Sequence, residues 1–494
     1  MTDATDTHVT GRPIEEMPWF STPEGLNAFR THRLRTMMRF SEERAPVVQL
    51  RGLAGTVVLC AAPEAVHEVL VEKAKSFEKS PVLRMALHPL AGEGLFTSEG
   101  ELWKRQRKLM SPIFQVSQIR HFAAQMGECA VRTCETWRDG QTLDIAHETT
   151  RIAMAVAGKT LFDVDTFGET DEIGEALTVA LHWTGQQATA LPLVLQARLR
   201  TRLTWLADRV PAPLSEKLNE AAAALLRPVL WPSRGTRDLR RALDVLEGRV
   251  TRMIEDRRRS AVPREDLLSR LLAARDDHDG AAMSDRQVRD EVLTLFVAGH
   301  ETTATALAWA VMLLCQDPAA YERARDEALA VGRVPTYEDL PKLTYCQRVF
   351  KESMRLYPPV FFFGRQAMAP VEVAGWHLPK GTIAVVSPFA MQRRADLWPD
   401  PERFDPDRFT PEAEAARPRG AYFPFSLGPR TCIGNHFALM EGPIVLATLL
   451  RHADFELLSS ASVEPDPQAT LRPKGGIPVR VRLRAQAPPS AVYA

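Results

Sequence analysis

The chain has 494 residues, 45% of them apolar and 25% charged, a balance that excludes a disordered or fibrous protein and allows one large core. Lys plus Arg and Asp plus Glu each number 62, so no excess of charge points to nucleic acid as a partner. The six cysteines are dispersed, without CxxC pairs or the density of a secreted disulfide scaffold, and residues 1–18 lack a basic start followed by an apolar run. These features predict a cytoplasmic protein with neither signal peptide nor transmembrane anchor.

In chain order, two β-rich runs within Val47–Cys60, around Gly52 and Gly55, predict a hairpin, and a helical pattern follows Pro63. Residues 100–355 read mainly as helices. Within them, Pro192, Pro211, Pro213, Pro228 and Pro232 exclude one continuous helix over 185–235. The best-marked helix starts at Ser284, where Gln287 completes a capping-box pattern, and stops at Asp317-Pro318. Its middle, Val292–Ala298 and Ala304–Leu314, is apolar nearly all round, which predicts a helix crossing the interior. Gly299, His300 and Glu301 interrupt it too much for a membrane span.

A second helix runs through Tyr345–Tyr357 and is stopped by Pro358-Pro359. Glu352 falls on its apolar stripe of Tyr345, Val349 and Leu356, so it needs a partner, and Arg355 stands three residues on. Strands are predicted at Val371–Val373, beyond the Gly375 turn, at Thr382–Ser387 and at Val479–Leu483. The class is mainly α with a smaller β region. One domain is expected over 46–484, with a lead-in segment at 1–45 and a tail at 485–494.

The densest pattern is Phe425-Ser-Leu-Gly428-Pro-Arg430-Thr-Cys432-Ile-Gly434, continuing to Ala438 and Glu441. Close glycines let the backbone approach a flat cofactor, and N–H groups near sulfur stabilise a thiolate. A lone cysteine in a tight turn is more often inert, but here Phe, Gly, Arg, Cys and Gly together resemble the haem-binding loop of the cytochrome P450 superfamily. Other motifs agree in order. Glu352 and Arg355 resemble the Glu-x-x-Arg pair, and Pro401-Glu-Arg403-Phe404 resembles the segment supplying a second arginine, which implies a buried triad of Glu352, Arg355 and Arg403. Ala298-Gly299-His300-Glu301-Thr302-Thr303 resembles the oxygen-activation motif. There the Thr302 hydroxyl is expected to reach the carbonyl of residue 298 and loosen the helix where Gly299 leaves space above the iron. Trp103-Lys-Arg-Gln-Arg107 resembles the Trp-x-x-x-Arg helix, whose i, i+4 spacing puts both side chains on one face.

The resemblance covers roughly Pro46–Leu483. It implies a single-domain P450-like fold with haem b between the long central helix and the cysteine loop. Cys432 is then the iron ligand, and Phe425 and Gly434 belong to the cofactor loop. Trp103, Arg107, Arg365 and Arg430 are expected at the propionates, and Glu301 with Thr302 at proton delivery. The implied reaction is insertion of one oxygen atom of O2 into an apolar small molecule. Electrons are expected from a separate ferredoxin and ferredoxin reductase, with Arg105 and Lys108 as candidates for docking an acidic donor. Pocket positions expected near Val82–Phe96, around Ala298, at Val360–Phe363 and near Gly476-Ile477 are mainly apolar, which favours a terpene-like or fatty acyl substrate. Phe361–Phe363 have core packing as their alternative. A peroxide-using or peroxide-rearranging haem-thiolate enzyme and a non-catalytic haem binder or sensor are the competing readings. Residues 185–235 exceed the family's usual connection over the substrate entrance, and their leucines interleaved with Arg198, Arg200 and Arg202 suggest an amphipathic lid or an extra packed helix.

Overall fold

The structure, a computed structural model, describes residues 12–14, 17, 19–20, 32–42, 45–50, 56–164, 170–187, 190–228, 233–260, 266–275, 282–458 and 463–484. The expected turn at Gly52 and Gly55, the break at Pro232 and the tail 485–494 lie outside the described residues.

The long helix Asp285–Gln316 organises the molecule. Ser284 and Gln287 close the capping box reciprocally, each bond at 3.2 Å. Asp317 ends the helix and then caps Pro318–Ala330 by accepting from Ala320 N at 3.0 Å. Its apolar surface from Val288 to Leu314 is buried nearly all round, against Ile145–Phe162 and the helices Thr344–Leu356 and Asn435–His452. That placement answers the sequence pattern, because a helix apolar on every side loses stability unless other elements cover it. Trp309 anchors its far end, donating Nε1–H to Leu471 O at 2.8 Å and stacking on Tyr357 at 3.9 Å.

Val47–Leu50 and Val57–Cys60 pair antiparallel, as the hairpin reading expects. They join a six-stranded mixed sheet in which Ile383–Val386 runs parallel to Val57–Cys60, and Phe363–Ala367 and Phe77–Lys79 follow. Val371–Val373 turns back onto Trp376–Leu378 through Ala374 and Gly375, both at positive φ. Trp19–Phe20 pairs with Val47–Leu50, and Arg12–Pro13 with Trp376–Leu378. Pro478–Leu483 lies between Ala453–Leu457 and Thr142–Asp144. A separate hairpin joins Pro465–Pro467 to Leu471–Pro473.

Between 185 and 235 the prolines divide the chain as expected. Leu191–Ala207 takes Pro192 in its first turn, and Leu214–Ala224 follows Pro213. The two helices pack on each other before Arg234–Arg259 begins. Leu193 and Ala197 rest on Met85 and Ala86 of the helix Pro81–Ala91.

Candidate active site

The loop at 425–434 is built from the backbone outward. Cys432 N donates to Phe425 O at 2.9 Å, and Thr431 N and Oγ1 donate to Gly428 O at 3.0 and 2.8 Å. Gly428 sits at φ +69°, and a Cβ there would meet Leu70 O at 2.1 Å, so both conformation and space require glycine. Gly434 caps Asn435–His452, which leaves the sulfur at the start of that helix.

Cys432 is the one exposed cysteine of the six. Burial of Cys60, Cys134, Cys315 and Cys346 pushes their thiols upward. The Cys432 thiol is also raised by the surrounding protein, opposed by the Gly434 N–H and the Arg107 guanidinium. The residue is thus exposed while the surrounding protein desolvates its thiol. Phe425, Ile433, Trp103 and Val297 are partly buried members of the same apolar cluster.

Cations border this region. The Arg430 guanidinium lies 4.2 Å from the Trp103 ring and pairs with Glu99, while its Nη1 is buried without a partner among the described residues. Lys79 pairs directly across the sheet with Arg365, and its Nζ is 3.9 Å from Glu99. Burial, and next the charge of Arg430, lower the Arg365 guanidinium to about 10, with Glu99 opposing them. Lys79 falls to about 7, again chiefly through burial. Like charges facing across a sheet are unfavourable, so this buried cation cluster calls for anions, and a pair of carboxylates fits it. Trp103 and Arg107 share a face of Gly100–Met110, as expected, with Trp103 under Arg430 and Arg107 beside Cys432. Sequence reasoning missed Lys79 and Glu99.

Glu352 and Arg355 are fully buried. All five Arg355 donors are used: Nε and Nη2 bond Glu352 at 2.7 and 2.8 Å, and the rest reach the carbonyls of Gln392, Pro401 and Arg403 at 2.9, 2.6 and 3.0 Å. The expected triad therefore needs correction. Arg403 contributes only its carbonyl, its side chain being exposed, and the second guanidinium is Arg408, 3.6 Å from Glu352. The chain holds two Pro-acid-Arg-Phe runs, 401–404 and 406–409, and only the second brings its arginine back to the helix. Gln392 ties this knot toward the cysteine loop, donating to Met354 O and Arg355 O and accepting from Phe423 N at 3.2 Å.

On the long helix, Thr302 Oγ1 donates to Ala298 O at 2.8 Å, as the sequence predicts. Gly299 lies beside the helix Ile145–Phe162, where a Cβ would stand in ordinary contact, 3.6 Å from Leu161 and 4.0 Å from Ala157. Glu301 turns toward the hairpin Pro465–Pro473, where Thr470 Oγ1 donates to it at 2.6 Å and Arg472 binds it through Nε and Nη2. Burial raises its carboxyl, but Arg472 outweighs that and leaves it below the usual range. Arg472 and Thr470 also line a cleft of about 710 Å3 with Glu175, His182, Asp238 and Asp466. Neither was marked by sequence. Phe361 and Phe363 belong to two buried clusters, so the core-packing alternative holds for them.

An exposed cysteine between close glycines and a cationic border suited to two carboxylates fit a haem with a sulfur ligand, and they mark a haem-thiolate protein. The cytochrome P450 family profile matches residues 17–479. Cyclooctatin synthase of Streptomyces melanosporofaciens is 34% identical over 431 residues, 86% of each chain. Pentalenene oxygenase of Streptomyces avermitilis is 32% identical over 86% of this chain and 87% of its own. The crystal structure of the cytochrome P450DA heme domain overlays with a TM-score of 0.79 at 23% identity, covering 96% of this chain and 98% of that one. The chain belongs to the cytochrome P450 family; it is a haem b monooxygenase, an oxidoreductase. Among the described residues no helix is long and apolar enough to cross a membrane.

Proposed function

We propose that this chain oxidises a terpene-like molecule, with Cys432 as the iron ligand and electrons supplied by a separate ferredoxin and its reductase in the cytoplasm. The reading takes 46–484 as the catalytic domain. Haem supplies the activation of O2, with two electrons and two protons leaving one oxygen atom as water and the other in a C–H or C=C bond. The residues of the chain then have distinct tasks. Gly434 N–H and Arg107 favour the thiolate form of Cys432. Arg430 and Arg365, with Lys79, hold the propionates, and Trp103 supports Arg430 from below. Phe425 and Gly434 shape the loop around the sulfur.

Thr302 holds a hydroxyl proton against Ala298 O and releases it toward the site when that bond opens. Glu301 is the acid behind it. Its route to solvent runs through Thr470 and Arg472 into the cleft, so proton supply requires Arg472 to loosen its grip. The observation that carries the oxygen-dependent reading over peroxide use is this hydroxyl, bonded inside an otherwise buried helix next to a buried acid. Likeness to cyclooctatin synthase and pentalenene oxygenase across most of the chain supports the terpene class. The test is reconstitution with ferredoxin, ferredoxin reductase and NADPH, with terpenes screened by the spin-state change on binding. Product that requires NADPH and both donor proteins is expected. Equal turnover with hydrogen peroxide alone defeats the oxygen-dependent reading, and binding of fatty acids in preference to every terpene defeats the substrate class.

A further inference from the structure

Residues 92–98 form a tight turn between the helices Pro81–Ala91 and Gly100–Met110, and other parts of the chain hold it by its backbone. The turn first closes on itself. Gly94 N donates to Ala91 O and Ser98 N to Gly94 O, both at 2.9 Å, and Thr97 Oγ1 donates to Gly92 O at 2.6 Å. Two neighbouring acids of the long helix Asp285–Gln316 then take outward N–H groups. Asp290 Oδ2 accepts from Glu93 N at 2.8 Å, and Glu291 Oε2 accepts from Leu95 N at 2.9 Å. From the other side, Lys79 Nζ donates to Leu95 O at 2.9 Å and Arg84 Nε to Thr97 O at 2.7 Å. Leu95 is therefore gripped at its N–H by an acid and at its carbonyl by a base. The approach to the helix is close, since a Cβ at Gly94 would meet Thr294 Oγ1 at 2.2 Å.

Stability alone does not account for this grip. Glu291 is fully buried, and its Oε1, like the Thr294 Oγ1 three residues on, has no partner among the described residues. Burial pushes the Glu291 carboxyl up to about 7, opposed by the Leu95 N–H, raised further by Asp290 and opposed again by Lys79. Buried polar atoms without partners cost stability, and an apolar side chain of similar volume avoids that cost. The grip falls where position matters. Leu95 packs in the cluster that also holds Trp103, Val297 and Phe425, and the next residue, Phe96, is 40% exposed. A phenylalanine left open on a turn fastened from both sides is held in one place. We propose that Glu291 is a positioning residue for substrate: by holding Leu95 N–H it fixes residues 92–98, and with them the Phe96 ring, as one wall of the substrate site. The inference rests on the expectation that the residues up to Phe96 border that site, and it does not depend on which substrate the enzyme takes.

The test uses the full haem-loaded chain and two azoles that ligate haem iron through nitrogen, imidazole and phenylimidazole, read by the shift of the Soret band. Only phenylimidazole carries a ring that the wall can touch. Glu291→Leu removes the acceptor, and Glu291→Gln keeps one. Hydrogen exchange of a peptide spanning 92–98 should be about tenfold faster in Glu291→Leu and within about threefold of wild type in Glu291→Gln. Phenylimidazole affinity should fall about five- to tenfold in Glu291→Leu, the worth of one aromatic contact, and recover in Glu291→Gln. Imidazole affinity and thermal melting should stay unchanged in both, because loss of the grip is offset by removal of a buried carboxyl. Equal losses for the two azoles show general damage at the haem and overturn the proposal. So does a Glu291→Gln protein as loose as Glu291→Leu. Faster exchange with unchanged phenylimidazole affinity makes Glu291 a fastening of the fold alone and overturns its role at the substrate site. Phe96→Ala leaves the grip in place and should lose the same five- to tenfold for phenylimidazole. Unchanged affinity in that variant overturns the wall even where Glu291→Leu fails to fold.

Discussion

Two arginines five residues apart, Arg403 and Arg408, differ sharply in what they do for the buried carboxylate of Glu352. The Arg408 Nε stands 3.6 Å from Glu352 Oε1 with its side chain 12% exposed. At an effective dielectric of about 20 that separation corresponds to about 4 to 5 kcal/mol of attraction. Desolvation, which lowers the Arg408 guanidinium, takes back a large part, leaving a net of about 2 kcal/mol. Arg408→Ala should therefore cost about 2 kcal/mol of unfolding free energy. Arg403→Ala keeps the carbonyl that Arg355 uses and removes only an exposed side chain, so it should stay within about 0.5 kcal/mol. Arg355→Ala strands Glu352 without its bidentate partner and should cost at least about 3 to 5 kcal/mol, with loss of haem. Urea unfolding of the haem-loaded protein, followed by the Soret band and far-ultraviolet circular dichroism together, gives the order directly. A loss for Arg403→Ala equal to that for Arg408→Ala would refute the assignment.

Cys432→Ala should abolish the red-shifted Soret band of the reduced carbon monoxide complex, and a persisting thiolate spectrum would remove Cys432 as the ligand. Lys79, lowered to about 7, is largely neutral above that pH until anions draw a proton onto it. Titration of haem into cofactor-depleted protein should show affinity falling up to about tenfold per pH unit above 7, as expected for uptake of one proton. Lys79→Met should flatten that dependence, and a wild-type titration already flat would defeat the propionate role. Arg472→Met should destabilise the fold by about 3 kcal/mol at neutral pH through the unpaired Glu301. Because Arg472 keeps that carboxyl below its usual range, its stabilisation is present above the unfolded carboxylate value and is lost as pH falls through the folded one. The variant's loss should then shrink in mild acid, and equal losses at pH 7.5 and 4.5 would count against the clamp.

The features legible in the sequence share a short range. The Ser284–Gln287 capping box, the Thr302 to Ala298 bond and the Glu352–Arg355 pair each join residues three or four apart, so helical geometry alone makes them neighbours. The cysteine loop is readable for a related reason: Gly428, Cys432 and Gly434 set their own backbone path within ten residues. Arg403 and Arg408 mark the limit of that reading. Both sit in the same four-residue pattern, and the deciding factor is where the 3-10 turn Pro406–Phe409 brings the chain back against Thr344–Leu356.

What the sequence hides is charge brought together from far apart. Lys79 meets Arg365 only because Phe77–Lys79 is the edge strand beside Phe363–Ala367, and Glu301 meets Arg472 only because a late hairpin folds over the long helix. Both encounters bury charge, which is costly unless a counter-charge is present. At Glu301 the chain supplies that counter-charge itself, and the result is an acid held by Thr470 and Arg472, which also line the cleft. At Lys79, Arg365 and Arg430 the carboxylate in ion-pair reach among the described residues is Glu99, and Lys79 Nζ also donates to Leu95 O and Ser98 O at 2.9 and 2.8 Å, which leaves more cations than anions at this point. On the proposed propionate role, carboxylates arriving here would relieve that excess, so folding and cofactor retention would share one electrostatic contribution. On this account Glu99 has two opposing effects: it steadies Arg430 before the cofactor binds and competes with a propionate afterwards.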